Sequence, residues 1–221
     1  MEKIVSRDAT PIAYHRRGVG PPLVLVHGTG AANPIAWTAV LPALEERFFV
    51  YALDRHGSFD AVVSQFGLMF FTDRQRALRE MLRVLAPRGT LAVAVWDRLE
   101  NSAAYRIEVE LLERLAGEAA AEALRAPFAL GETKELMALF EGAGVASVRI
   151  ATRRGSARFP SIRSMVEADL RGWLPLMGVV LEEERIQRIL QDAESALHRY
   201  VTAEGQVVFD SPGHIVSGTR R

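Results

Sequence analysis

The segment His27-Gly28-Thr29-Gly30 closes one apolar run, and Asp54 closes the next, Phe48 to Leu53. Glycines behind a strand let backbone approach a ligand, and a carboxylate ending the neighbouring strand can accept hydrogen bonds from ligand hydroxyls. The bland alternative is that Gly28 and Gly30 only make a turn and Asp54 only caps a loop. A third run, Asp60 to Phe66, ends in Ser64-Gln65-Phe66-Gly67, and "TLAVAVW" delivers Trp96 and Asp97 to another strand end. Strand ends are where sheet ligands bind. Gln65 and Phe66 could equally serve loop hydrogen bonding and core filling, and Asp97 reads as a plain helix-leading cap. Serine hydrolysis would need a G-x-S-x-G elbow that exposes the nucleophile. None exists: Ser64 is the nearest imitation, and its glycine spacing is wrong on both sides. The pattern suits ligand holding more than nucleophilic attack, and no residue is assigned a catalytic role.

These strand ends require a sheet. Ile4 to Tyr14 reads as a strand pair or ragged hairpin turning at Asp8-Ala9-Thr10, and Gly18 to Pro22 as a turn. Leu23 to His27 is a continuous apolar run, as expected of a strand buried on both faces. A helix is expected over Trp37 to Arg47. Asp73 has the character of an N-cap for a helix carrying Leu78, Met81, Leu82 and Leu85 at helical spacing. Pro87-Arg88-Gly89 should stop it. Ser102 opens a long helix to about Arg125, and Glu132 to Gly142 forms another ending at a C′ glycine, Gly144. Ser147 to Arg153 reads as a strand, Ser161 to Arg171 as a capped short helix, and Glu182 to Tyr200 as a longer one. The C-terminal "GQVVFDSPGHIVSGTR" holds two extended pieces around a Ser-Pro-Gly turn. The alternation implies an α/β fold with a doubly wound, mostly parallel sheet and a C-terminal antiparallel hairpin.

One junction breaks the alternation. Between the runs Phe48–Leu53 and Phe59–Phe66 lie only Asp54 to Ser58, whereas parallel neighbours need a crossover of a dozen or more residues. A return down a strand of ~17–20 Å and across two strand spacings would draw Asp54 to Phe59 nearly taut. The runs could instead pair as an antiparallel hairpin, or their ends could unravel. A taut link would strip cover from the sheet face above Leu23 to Val26, leaving an apolar patch that drives association.

The bulk properties are those of a soluble globular chain. Its 221 residues are 49% apolar and 24% charged, with 27 basic and 27 acidic residues and no net charge. This balance favours neither nucleic acid nor a membrane surface as partner, and it removes one guard against self-association. The absence of cysteine excludes a disulfide framework and a thiolate metal site. The mixed, charged opening "MEKIVSRDATPIAYHRRG" is unlike a signal peptide, and no apolar run approaches the ~20 residues of a membrane span.

Two family resemblances meet at the junction. "DATPIAYHRRGVGPPLVLVHGTG", a Trp and "LPALEERFFVYALDRHG" make residues 1–57 resemble the opening of an α/β-hydrolase. This implies an oxyanion loop at His27, with the Thr29 backbone N–H as donor, but the nucleophile is missing. "SFDAVVSQFGLMFFTDRQRALREMLRVLAPRGTLAVAVWD", "LFEGAGVASVRI" and the closing "HIVSGTR" make residues 58–221 resemble the second half of a class I S-adenosylmethionine-dependent methyltransferase. That resemblance implies S-adenosylmethionine as cofactor. It places Gly28, Thr29 and Gly30 in the cofactor loop, although Val26 stands for its first glycine and Val24 for its acid. Asp54 would be the ribose carboxylate, and Gln65 and Phe66 would face the methionine or adenine side. Met165, Trp173, Leu174 and Met177 would line an apolar acceptor pocket or simply fill the core. His198 and His214 have no matched role.

The expectation is one compact α/β domain, hydrolase-like over 1–57 and methyltransferase-like over 58–221. If active, it transfers a methyl group from S-adenosylmethionine to a small, partly apolar acceptor. An inactive chimera and an esterase-like protein are the alternatives. A cytoplasmic setting, a homo-oligomer, and no nucleic-acid or membrane partner complete the expectation.

Overall fold

The computed structural model describes residues 2–5, 11–27, 41–52 and 59–221. In chain order the elements are β1 (Glu2–Val5), β2 (Pro11–Arg17), β3 (Pro22–His27), α1 (Leu41–Glu45), β4 (Phe49–Ala52), β5 (Phe59–Gln65), α2 (Arg74–Val84) and β6 (Leu85–Trp96). There follow α3 (Ala103–Ala116), α4 (Glu118–Arg125), α5 (Thr133–Gly142), β7 (Ala146–Arg153) and β8 (Ser156–Phe159). The chain ends with α6 (Ile162–Ala168), α7 (Leu174–Leu176), α8 (Glu183–Ala196), β9 (Val207–Asp210) and β10 (Gly213–Thr219). It divides into two compact units. One comprises residues 1–95, 133–151 and 215–221, and the other residues 96–132 and 152–214.

The first unit is built on an eight-stranded sheet ordered β1-β2-β4-β3-β5-β6-β10-β7. β1 pairs antiparallel with β2, placing Ile4 opposite Ile12, and β2 pairs antiparallel with β4. β3 is flanked by parallel partners, β4 on one side and β5 on the other. β5 then pairs in parallel with β6. The doubly wound, mostly parallel sheet is therefore present. Leu23, Leu25 and Val50 are almost wholly buried, with Leu44, Phe48, Ala61 and Val63 packed on them. Leu44 of α1 and Phe48 after it thus pack on Leu23 and Leu25. The side chains of Val24 and Val26, on the opposite face of β3 and part of the expected stripped patch, lie outside the described residues. The antiparallel hairpin between residues 48–53 and 59–66 does not form, because β3 takes the place between them. An apolar strand such as β3 gains most when both its edges are paired.

Local signals explain most element ends. The Asp73 carboxylate accepts from the Arg76 N–H at 2.8 Å, which caps α2, and Leu78 and Met81 are its buried positions. Pro87-Arg88-Gly89 ends no element but bulges β6: pairing with β5 slips between Phe59 and Ala61, and Arg88 adopts φ 66°. Ser161 caps α6 through the Ser164 N–H at 3.0 Å, and α6 runs through a π-turn, Asp169–Trp173, into α7.

The second unit is mostly helical and packs around Leu112, Met165, Leu174, Ile189 and Phe209. The long helix expected from Ser102 to Arg125 is broken in two at Gly117, whose φ is 91°. β8 was not anticipated, because "SARF" is short and its residues are exposed or half-buried. It pairs antiparallel with β9 as a separate two-stranded sheet. The two C-terminal extended pieces therefore part company: β9 joins β8, and β10 inserts between β6 and β7. Among the described residues no helix is long and apolar enough to cross a membrane.

Candidate cofactor site

The strand order creates a switch point at β3. From β3 the chain moves outward to β4, then returns to the other side of β3 as β5 and continues to β6. Neighbouring strands thus lead away in opposite directions, and in open α/β sheets ligands bind beyond the carboxyl ends of the strands at such a switch point. His27 and Gln65 are the last paired residues of the β3–β5 ladder.

Gln65 ends β5 with its side chain exposed. Phe66 follows with φ 49°, a left-handed conformation that costs a residue with a Cβ about 1–3 kcal/mol. Its N–H donates to the Ala94 carbonyl at 2.9 Å, prolonging the ladder with β6 by one bond. Next, Leu68 and Met69 are buried in a 3-10 turn, and Arg74 donates to the Met69 carbonyl at 3.0 Å. The backbone is anchored on both sides of Phe66, so the strain is held rather than released. Strain of this kind clusters where ligands are gripped.

Of the residues singled out from sequence, Gln65 and Phe66 lie together at this edge. Gly28, Thr29, Gly30 and Asp54 lie outside the described residues. The strands that lead to them, β3 and β4, are adjacent, with Leu25 paired to Ala52. Ser64 is fully buried inside β5 and its hydroxyl has no hydrogen-bond partner; it cannot present a nucleophile. Met165 and Leu174 are core, both fully buried. Trp173 is half-buried and donates its indole N–H to the Ala123 carbonyl at 2.8 Å, while Met177 is partly exposed.

The second unit holds two polar groups that sequence reasoning did not assemble. His214 is buried with every ring nitrogen engaged. Its Nε2 lies 3.0 Å from Asp97 Oδ1 and 3.0 Å from the Gly131 carbonyl, and its Nδ1 lies 2.9 Å from Thr152 Oγ1. The Asp97 carboxylate also accepts from the Arg98 N–H at 2.7 Å and from Asn101 Nδ2 at 2.9 Å. Asp97 is therefore more than the expected cap. Gly131 can come this close because it lacks a side chain: a Cβ there would collide with the Arg98 backbone. His214 and its three partners come from four distant parts of the chain, so no local motif announces them.

The other group is carboxylic. Glu108, on α3, is fully buried, and no hydrogen bond of sound geometry reaches either oxygen. Burial first, and the charge of Asp169 second, push its carboxyl well above the usual range. Burial likewise raises Asp169, at the start of the π-turn, to about 7, with Glu108 pulling the other way. Tyr105, one turn before Glu108, is also pushed up, by burial and then by both carboxyls. The sequence signal was a lone acid among the buried positions Ala104, Leu111 and Leu112.

Residues 50–93 match the family described as Methyltransferase domain. No curated protein sequence gives a significant match. Among solved structures, a proposed methyltransferase of an antibiotic biosynthesis pathway from Anabaena variabilis is similar, with TM-score 0.52 and 10% identity over 90% of each chain. A proposed methyltransferase from Bacillus halodurans is similar over 91% of this chain and 93% of its own, with TM-score 0.49 and 14% identity. The comparisons lend no support to the hydrolase resemblance of residues 1–57, and the methyltransferase match begins at Val50, inside it. The fold is that of the Rossmann-like methyltransferases, and β4 to β6 carry a methyltransferase-type segment.

Proposed function

We propose that the chain binds S-adenosylmethionine in the crevice beyond β3 and β5 and transfers its methyl group to a small, partly apolar acceptor. The observation that carries this reading is the switch point itself, with exposed Gln65 and left-handed Phe66 at its rim. The described strand ends support the reading, since β3 leads toward Gly28, Thr29 and Gly30 and the adjacent β4 toward Asp54. In this reading the glycine loop lets backbone approach the cofactor, Asp54 accepts from the ribose hydroxyls, and Gln65 and Phe66 border the methionine or adenine side. The bound cofactor supplies an electrophilic methyl group. The chain's own part is to hold donor and acceptor in line, and such positioning can account for about 7–11 kcal/mol of a barrier.

Calorimetric titration of the folded chain with S-adenosylmethionine tests the proposal. Saturable heat is expected, with affinity weakened at least about fivefold in Asp54→Ala, where lost hydrogen bonds to a ligand cost about 1–3 kcal/mol. No heat at millimolar ligand overturns it.

A second reading rests on the link between β4 and β5. Both strands run parallel to β3, yet only residues 53–58 join them, fewer than the dozen residues usual for a parallel crossover. In this reading the chain is a chimera whose junction near Gly57 and Ser58 removed the cofactor loop of one parent, leaving a fold without activity.

A further inference from the structure

The partners of His214 fix its proton. Asp97 Oδ1 and the Gly131 carbonyl, each 3.0 Å from Nε2, can only accept, so Nε2 carries the hydrogen. With that single hydrogen the ring has its lone pair at Nδ1, where the Thr152 hydroxyl 2.9 Å away can donate to it. His214 and Asp97 are buried, whereas Thr152 is exposed on β7. A hydroxyl donating to an imidazole whose other nitrogen is oriented by a buried carboxylate is the arrangement that activates an oxygen nucleophile. We propose that Thr152 is an activated nucleophile that takes an acyl group from activated acyl esters, with His214 as its base and Asp97 orienting His214.

The step balances without a further reactant. Thr152 Oγ1 bonds to the acyl carbon as its proton passes to His214 Nδ1. The imidazolium so formed keeps its Nε2 hydrogen on the Asp97 carboxylate, whose second oxygen is steadied by Asn101. Collapse of the tetrahedral adduct breaks the bond to the ester oxygen. The leaving group departs with the proton from Nδ1, and the acyl group remains on Thr152. Nothing in this chemistry involves the crevice at β3 and β5, so it stands apart from the methyl-transfer reading. A buried clasp that merely ties chain segments together would need the same hydrogen bonds but would not make Thr152 reactive.

The test uses the full chain and p-nitrophenyl acetate at neutral pH, with acetylated peptides read by mass spectrometry. Thr72 is an exposed threonine in the same sample and serves as the internal reference. Acetylation of Thr152 is expected to outpace that of Thr72 by about a hundredfold, the low end of what a positioned base contributes. Thr152→Ser should retain the advantage, and His214→Gln, folded by circular dichroism, should lose it. Labelling of Thr152 no faster than Thr72, loss of the advantage in Thr152→Ser, or an unchanged rate in folded His214→Gln overturns the proposal. The ratio within the unaltered chain decides the matter even where His214→Gln does not fold.

Discussion

Glu108 and Asp169 place a titration inside the helical unit that the cofactor crevice does not use. Burial raises Asp169 to about 7 and Glu108 well above its usual range. In the unfolded chain both return to ordinary carboxyl values near 4, so between about pH 4 and 7 the folded state holds more protons. Stability then falls as pH rises through that window. It is fully present below the unfolded values and lost once the folded pair ionises. A tenfold change in a proton equilibrium corresponds to about 1.4 kcal/mol, so Asp169 by itself should make the move from about pH 5 to 8 cost the fold about 2–3 kcal/mol, with Glu108 adding in the same direction. Urea unfolding at the two pH values measures it. Asp169→Asn should flatten the dependence, and a wild-type protein more stable at the higher pH would refute it. The pair was half visible in the sequence. Glu108 stands out as an acid on an apolar face, but its neighbour lies on another helix, and only the fold supplies it. The His214 cluster was less visible still, since Asp97, Gly131, Thr152 and His214 share no spacing rule.

Elements were legible where a local signal fixes them and illegible where one residue breaks a pattern. The Asp73 cap and the Gly144 stop are local, and both hold. The helix from Ser102 has apolar positions on either side of Gly117 in continuous helical spacing, so nothing in the pattern marks the break. Gly117 and Gly131 should answer differently to the same substitution. At Gly117 an added Cβ meets nothing within 4 Å, and only the φ of 91° resists it. Gly117→Ala should therefore cost about 1–3 kcal/mol, because φ 91° with ψ 172° is a region that essentially only glycine adopts. At Gly131 a Cβ would meet the backbone of Asp97 and Arg98, and backbone cannot swing aside as a side chain can. Gly131→Ala should cost more than Gly117→Ala and also displace the carbonyl from His214. Urea midpoints of the two variants decide this, and equal losses would count against the close approach.

For the whole chain the question is whether the junction leaves a working crevice. Ala52 lies opposite Leu25 and Ala61 opposite Leu23, so the chain must drop about four residue rows and cross two strand spacings, ~16 Å in a straight line. From Ala52 to Phe59 it can reach ~23–25 Å. The strain read from sequence was overstated, because β4 has only four residues and the return is shorter than a full strand. Length thus permits closure but leaves too few residues for a crossover helix, and the pairing of His27 with Gln65 persists regardless. If the crevice binds S-adenosylmethionine, ligand at about a hundred times its dissociation constant adds about 2.7 kcal/mol to the folded state. For a chain of this size that raises the melting temperature by about 5–10 °C. Differential scanning fluorimetry should show the rise in the unaltered chain and a smaller one in Gln65→Ala. A rise undiminished by Gln65→Ala would put the ligand elsewhere, and no rise would favour the inactive chimera. The sheet order survives in either case, since it depends on the apolar strands and not on the loops that would hold the cofactor.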